Sequence, residues 1–207
     1  MKKTFLFVSI LVIVVFTLSS CKSTQKPVET KAPISNSSSV DVYDVPCWMA
    51  DDDEWFYATG NRTFQSKPSV MNTAPTATLR STQLLMRQKL QNVYRAVLRD
   101  YFDQMDTEES SYAREHIESA GDLVIKTTIN ETYEVCRKQT RPNENGNVTM
   151  YITIKVNKKK FTNDLVQNIS KEEELKVRFN EKQFRDSAFK VFEESNKKEF
   201  NEFKEQQ

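Results

Sequence analysis

Three thiols and one imidazole are the softest donors in this chain of 207 residues, and their spacing decides which chemistries are open. A tetrahedral zinc site takes four nitrogen, sulfur or carboxylate ligands. His116 is the single histidine, so with Cys47 and Cys136 carboxylates would have to complete such a set, and neither H-E-x-x-H nor paired C-x-x-C occurs. Gly60, Gly121 and Gly146 are the only glycines, too few for a phosphate-cradling loop or a dinucleotide fingerprint, and G-x-S-x-G is absent. The run Asp51, Asp52, Asp53, Glu54 lacks the Asp-x-Asp-x-Asp-Gly spacing and distant Glu of a calcium loop, and it reads as an exposed turn. No metal and no cofactor is expected. The one enzymatic route left open is a carboxylate pair in a cleft, as in a hydrolase or carbohydrate-active enzyme.

Cys21 is different, because its neighbours prepare its sulfur for alkylation. Lys2 and Lys3 precede an uncharged apolar run, Phe5 to Leu18, after which the chain turns polar at Cys21. At 1.5 Å per residue the run falls short of the roughly 20 residues that span hydrocarbon, so it reads as an export signal. Leu18, Ser19, Ser20 and Cys21 resemble a bacterial lipobox. In such precursors the Cys thiol takes a diacylglycerol, the signal is cut before it, and the new amine is acylated, commonly with palmitate. Small residues at 19 and 20 suit a narrow peptidase cleft, and the thiol is the nucleophile. One acyl chain holds a protein only reversibly, so two or three on one residue make a durable anchor. The resemblance implies a membrane partner through lipid on Cys21, and Lys22 in place of Asp implies sorting to an outer membrane.

Charge narrows the remaining partners. Thirty basic and 29 acidic residues give a formal +1; removing residues 1–20 takes away Lys2 and Lys3 and no acid, leaving 28 cations against 29 acids, or −1. Such a chain lacks the positive field that neutralises nucleic-acid phosphates, so no nucleic-acid partner is expected. The run Lys158, Lys159, Lys160 reads as a solvated helix start.

The elements that must hold these groups follow from patterning. Residues 1–20 are the signal, and 21–44 are the lipidated Cys with a Ser-, Thr- and Pro-rich tether too poor in apolar surface to offset its ordering entropy. Residues 45–207 form a single α+β domain. Pro46, Trp48 and Trp55 open it, and a short strand ends at Gly60. Met86, Leu90, Val93, Val97, Tyr101 and Met105 recur at steps of three or four in a helix over 76–105, with Pro75 in its first turn. Arg80, Arg87, Lys89, Arg95 and Arg99 fall mainly on its solvated side. A second helix over 110–128 turns Ile117, Ala120 and Val124 inward. Val148, Met150, Ile152, Ile154 and Val156 then alternate with polar residues in a hairpin whose Asn145-Gly146 suits two positive φ angles. Phe161, Leu165 and Ile169 mark a short helix over 158–168, and Leu175, Val177 and Phe179 an edge strand. Asn180 and Gln183 resemble a capping box opening a helix to about 205, with Phe184, Ala188, Val191 and Phe192 toward the core and Phe200 and Phe203 also assigned there. The fold expected is a small antiparallel sheet with a central hairpin, covered by the long helix and the C-terminal helix.

Cys47 would sit at the start of the domain and Cys136 on a hairpin strand. If the signal works both lie outside the cytoplasm, where disulfides persist. A bridge would pin the domain's start to its sheet, and buried free thiols fit the sequence equally. Asp186-Ser187-Ala188 is similar to an O-glycosylation triplet of some Bacteroidetes.

In order, the lipobox, Pro46-Cys47-Trp48, "WFYATG", the long helix, "ETYEVCRKQTRPNENGNVTMYITIKV" and the helix around Phe184 resemble the small membrane-associated lipoproteins typified by the Helicobacter lipoprotein antigen, in a Bacteroidetes-like version. The resemblance spans about residues 45–195; Cys47 within the opening motif and a longer last helix depart from it. It implies an α+β domain shaped like small domains of flagellar T-ring and other envelope proteins, with no catalytic residues to carry over. The expectation is a non-enzymatic envelope lipoprotein with a structural or partner-binding role toward an envelope protein or polysaccharide; a surface adhesin or antigen is the other non-enzymatic alternative.

Overall fold

The computed structural model describes residues 47–104, 110–171 and 179–205, with side chains omitted for 110–112 and 199–205. The signal, the lipobox Leu18-Ser19-Ser20-Cys21, the tether, Pro46, Met105, most of the edge strand expected around Leu175 and Val177, and the Phe200 and Phe203 side chains lie outside what is described.

The chain runs β1 (Trp55–Gln65), α1 (Pro68–Met71), α2 (Ala74–Asp103), α3 (Ser110–Asn130), β2 (Tyr133–Gln139), β3 (Asn147–Asn157), α4 (Lys158–Ile169) and α5 (Glu181–Glu205). The sheet is antiparallel with order β1-β3-β2, and the fold is α+β with helices packed on the sheet. β3 is the centre because it is the most apolar strand. Val148, Met150, Ile152, Ile154 and Val156 are all buried on one face, as alternation requires.

β1 pairs with β3 over its whole length, from Trp55 opposite Asn157 to Gln65 opposite Asn147. The strand therefore does not end at Gly60, which faces Ile152 in mid-ladder. A Cβ at Gly60 would lie 2.4 Å from Thr82 Oγ1 and 3.0 Å from Thr82 Cα, so the glycine marks the place where α2 presses onto the sheet. Thr82 turns its hydroxyl back to Thr78 O at 2.9 Å, as Thr78 does to Ala74 O, which satisfies both polar groups inside the core.

The hairpin corrects a second expectation. Within the hairpin loop Gly146 has a positive φ, 71°, and Asn145 does not. Asn143 organises the loop instead: its Oδ1 accepts from Asn145 N at 3.1 Å and Asn147 N at 2.9 Å, and its carbonyl accepts from Gly146 N at 2.8 Å. A turn followed by one left-handed glycine is a longer hairpin solution than the two-residue loop.

α2 contacts β1, β3, α3 and α5, while α3 and α5 also contact α4. Met86, Leu90, Val93, Val97 and Tyr101 of α2, Ile117, Ala120 and Val124 of α3, Phe161, Leu165 and Ile169 of α4, and Phe184, Ala188, Val191 and Phe192 of α5 all join one core. Each large side chain fully removed from water contributes about 1.5–3 kcal/mol. Phe56 meets Phe161 and Phe192 edge-on, with centroids 6.3 and 5.1 Å away. Only half of the expected capping box forms. Asn180 Oδ1 accepts from Gln183 N at 3.1 Å, but Asn180 N donates to Tyr101 Oη at 3.0 Å, and the Gln183 amide turns to Gln104.

Candidate functional site

The groups that combine covalent chemistry, buried charge and access to solvent gather where the chain enters the domain, residues 47–54. Cys47 and Cys136 form a disulfide, with Cα atoms 5.6 Å apart. Cys136 lies on β2 opposite Thr153, just past a register shift between Glu134 and Cys136. Thr153 and its neighbour Thr59 stand on the sheet face away from the helices, their hydroxyls 2.8 Å apart. Both donate to Cys47 O, Thr153 at 2.5 Å and Thr59 at 3.4 Å, so the strap crosses the outer face of the sheet. Thr153 is consequently fully buried on a face that alternation alone would leave wet. Cys47 has φ 71°, a left-handed conformation that costs a non-glycine residue about 1–2 kcal/mol; the bridge and the two hydroxyls hold it there.

The acid run that follows is an exposed turn at Asp52, Asp53 and Glu54, but its first member, Asp51, is drawn inside. The Asp51 side chain has no solvent exposure; its Oδ1 receives Lys89 Nζ at 2.6 Å and Tyr57 N at 2.7 Å. Lys89 also donates to Tyr57 O at 2.9 Å, so this cation of α2 leaves the solvated set for a clamp between helix, strap and strand. Asp52 closes a local turn, accepting at Oδ1 from Glu54 N at 2.8 Å and Trp55 N at 2.7 Å. Burial, and then the Asp52 carboxylate, push the Tyr57 hydroxyl above the usual tyrosine range.

Lys158 is the other correction. It is 3% exposed, and its ammonium donates to Asp52 O at 2.5 Å and Asn196 Oδ1 at 2.7 Å. It also stands 4.7 Å from the centroid of the Phe56 ring. Burial lowers its pKa from the ordinary 10.5, against the pull of Asp51 and Asp52. Lys159 is exposed, and Lys160 pairs with Glu131 and Asp164, so the three consecutive lysines have three different environments.

Beside the strap a groove of about 390 Å³ is lined by Asp53, Glu54, Lys158, Phe189, Glu193 and Asn196. Phe189 is 53% exposed on α5, while Phe192, one turn on, is buried. The groove offers a polar rim and one presented aromatic side chain, which suits contact with a partner surface.

Cys47 and Cys136 are thus the sequence-singled residues that the structure joins. His116 is partly exposed on α3, remote in sequence from any cysteine. Ser187 of the glycosylation-like triplet is 1% exposed and lies 3.3 Å from Gln104 Nε2, so its hydroxyl is closed to a transferase. Among the described residues, no group of three His, Cys, Asp or Glu side chains is placed to hold a metal ion, and no helix is long and apolar enough to cross a membrane. Lys158, Lys89 and Asp51 carried no local signal, because their burial comes from distant elements. No known protein family, curated protein or solved structure matches the chain.

Proposed function

We propose that the protein is a lipid-anchored, non-enzymatic component of a bacterial cell envelope, held at Cys21 to a membrane and using its α+β domain to bind another envelope component. The observation that carries this reading is the sequence constellation of Lys2 and Lys3, the apolar run and Leu18-Ser19-Ser20-Cys21. The Cys47–Cys136 bridge supports it, since such bonds persist outside the reducing cytoplasm. The partner is an envelope protein or polysaccharide, and the groove beside Phe189 is its contact surface. The order of anchor, tether and small domain resembles that of the Helicobacter-type lipoprotein antigens, which are described as envelope lipoproteins. The outer membrane is the proposed location.

The test has two parts. Intact-mass analysis of the mature protein is expected to give a chain starting at Cys21 with added acyl mass; an unmodified chain still bearing Met1 overturns the anchor. Cross-linking in intact cells, comparing the native chain with Cys21→Ser and Phe189→Ala, is expected to recover a reproducible partner. Loss of that partner in Phe189→Ala places the contact in the groove, and its retention in that variant removes the groove from the proposal.

A further inference from the structure

α2 carries four arginines and a lysine between Ala74 and Arg99 and no acid. Lys89 is used inside the fold, but among the described residues no ion pair reaches Arg80, Arg87 or Arg95. At about 3.6 residues per turn, Arg80, Leu84, Arg87, Gln91 and Arg95 fall in one strip. That strip lies across the helix from Thr78, Thr82 and Met86, the row that meets the sheet. Arg80 and Arg95 are exposed, Arg87 is half-buried, and Leu84 between them is 55% exposed. Arg80 and Arg87 flank a recess of about 350 Å³ completed by Gln83, Leu84, Ile129 and Asn130. The acids Glu118 and Asp122 of α3 line a separate recess with Arg95, so the least compensated part of the strip is its Arg80–Arg87 end.

We infer that this strip is a docking surface for anionic lipid headgroups, with Arg80 and Arg87 holding a headgroup phosphate and Leu84 entering the boundary between headgroups and acyl chains. The inference rests on the anchored reading above, and charge complementarity selects the occupant. Guanidinium groups pair with phosphate oxygens through two parallel hydrogen bonds. An apolar side chain between two cations suits a lipid interface better than a solvated polyanion. The net charge near zero concentrates any such attraction on this strip, since no general positive field exists to supply it. The 26 residues from Cys21 to Cys47 span at most about 90 Å, so an anchor at Cys21 leaves the strip within reach of the bilayer.

The full, processed chain carrying Leu84→Cys labelled with an environment-sensitive fluorophore, and reconstituted in vesicles, tests this. Vesicles of phosphatidylcholine are compared with vesicles holding about one quarter phosphatidylglycerol, at about 0.05 and 0.5 M salt. Brominated lipid is expected to quench the label at least about twofold more in the anionic vesicles at low salt, with the difference lost at high salt. Arg80→Gln/Arg87→Gln abolishes the difference, while the equal charge loss of Lys138→Gln/Arg141→Gln leaves it. Equal quenching in both vesicles, or equal effects of the two double variants, overturns the docking surface. A chain that leaves the vesicles altogether overturns the anchor instead, so the two failures are distinguishable.

Discussion

Cutting the covalent tie between Cys47 and Cys136 removes the largest single constraint on the unfolded chain. The two residues are 89 positions apart, and the chain-entropy relation for a loop of that length gives about 4.6 kcal/mol of stabilisation at 25 °C. The Cys47→Ala/Cys136→Ala variant keeps the Cys47 carbonyl bonds to Thr153 and Thr59, so the loss should come mainly from the released unfolded chain rather than from lost contacts. Urea unfolding reads it: with a slope of about 2 kcal/mol per molar, the midpoint should fall by about 2 M, and the slope should rise as the released unfolded chain exposes more surface. Mass spectrometry with and without reductant confirms that the parent protein carries the bond. A midpoint within about 0.5 M of the parent refutes the reasoning, because it means the unfolded chain was never confined by this loop.

Three other perturbations test the packing around the site. In a Cys136→Ala background, Cys47→Gly should be about 0.5–1 kcal/mol more stable than Cys47→Ala by urea unfolding, because only glycine meets φ 71° without a Cβ penalty. Gly60→Ala should cost about 2–4 kcal/mol, and adding Thr82→Ala should restore only part of it, since the backbone at Thr82 Cα remains within 3.0 Å; full restoration would show that the hydroxyl alone fixes the helix-to-sheet distance. Lys158 has a folded pKa below its ordinary 10.5, so the unfolded chain binds the proton more tightly and stability should rise with pH from the lowered value up to about 10.5. Lys158→Met should abolish that alkaline gain and lose about 1–3 kcal/mol at neutral pH from the hydrogen bonds to Asp52 and Asn196; an unchanged pH profile would contradict the assignment.

The sheet and helices were legible wherever a local period met a matching partner. The residue types of β3 alternate between apolar and polar from Val148 to Val156, and the apolar steps of α2, α4 and α5 each predicted the face that is buried. What escaped was set by distance in space. Gly60 looks like a strand terminator until its opposite neighbour Ile152 is known, because a local glycine carries no record of the ladder it sits in. Asp51 and Lys158 belong to runs of like charge, and nothing within either run distinguishes the member that goes under. Lys89 reaches across from α2 to choose Asp51; Asn196 of α5 and Asp52 of the strap choose Lys158. The pairing of Cys47 with Cys136 was open for the same reason: it needs β2 and the strap to converge on Thr153, a meeting of three segments far apart in sequence.

The bridge also fixes how mechanical tension would travel. A pull arriving from the N-terminal side reaches Cys47 and passes through sulfur into the middle of β2, bypassing Asp51, β1 and the long helix. All residues between the two cysteines lie inside a covalent ring that stretching cannot open. At roughly 3.6 Å per residue, about 320 Å of contour is withheld from extension until the ring is reduced. A domain stretched between its two ends would therefore yield first from the chain beyond Cys136, leaving the ring of β1, α2 and α3 unextended.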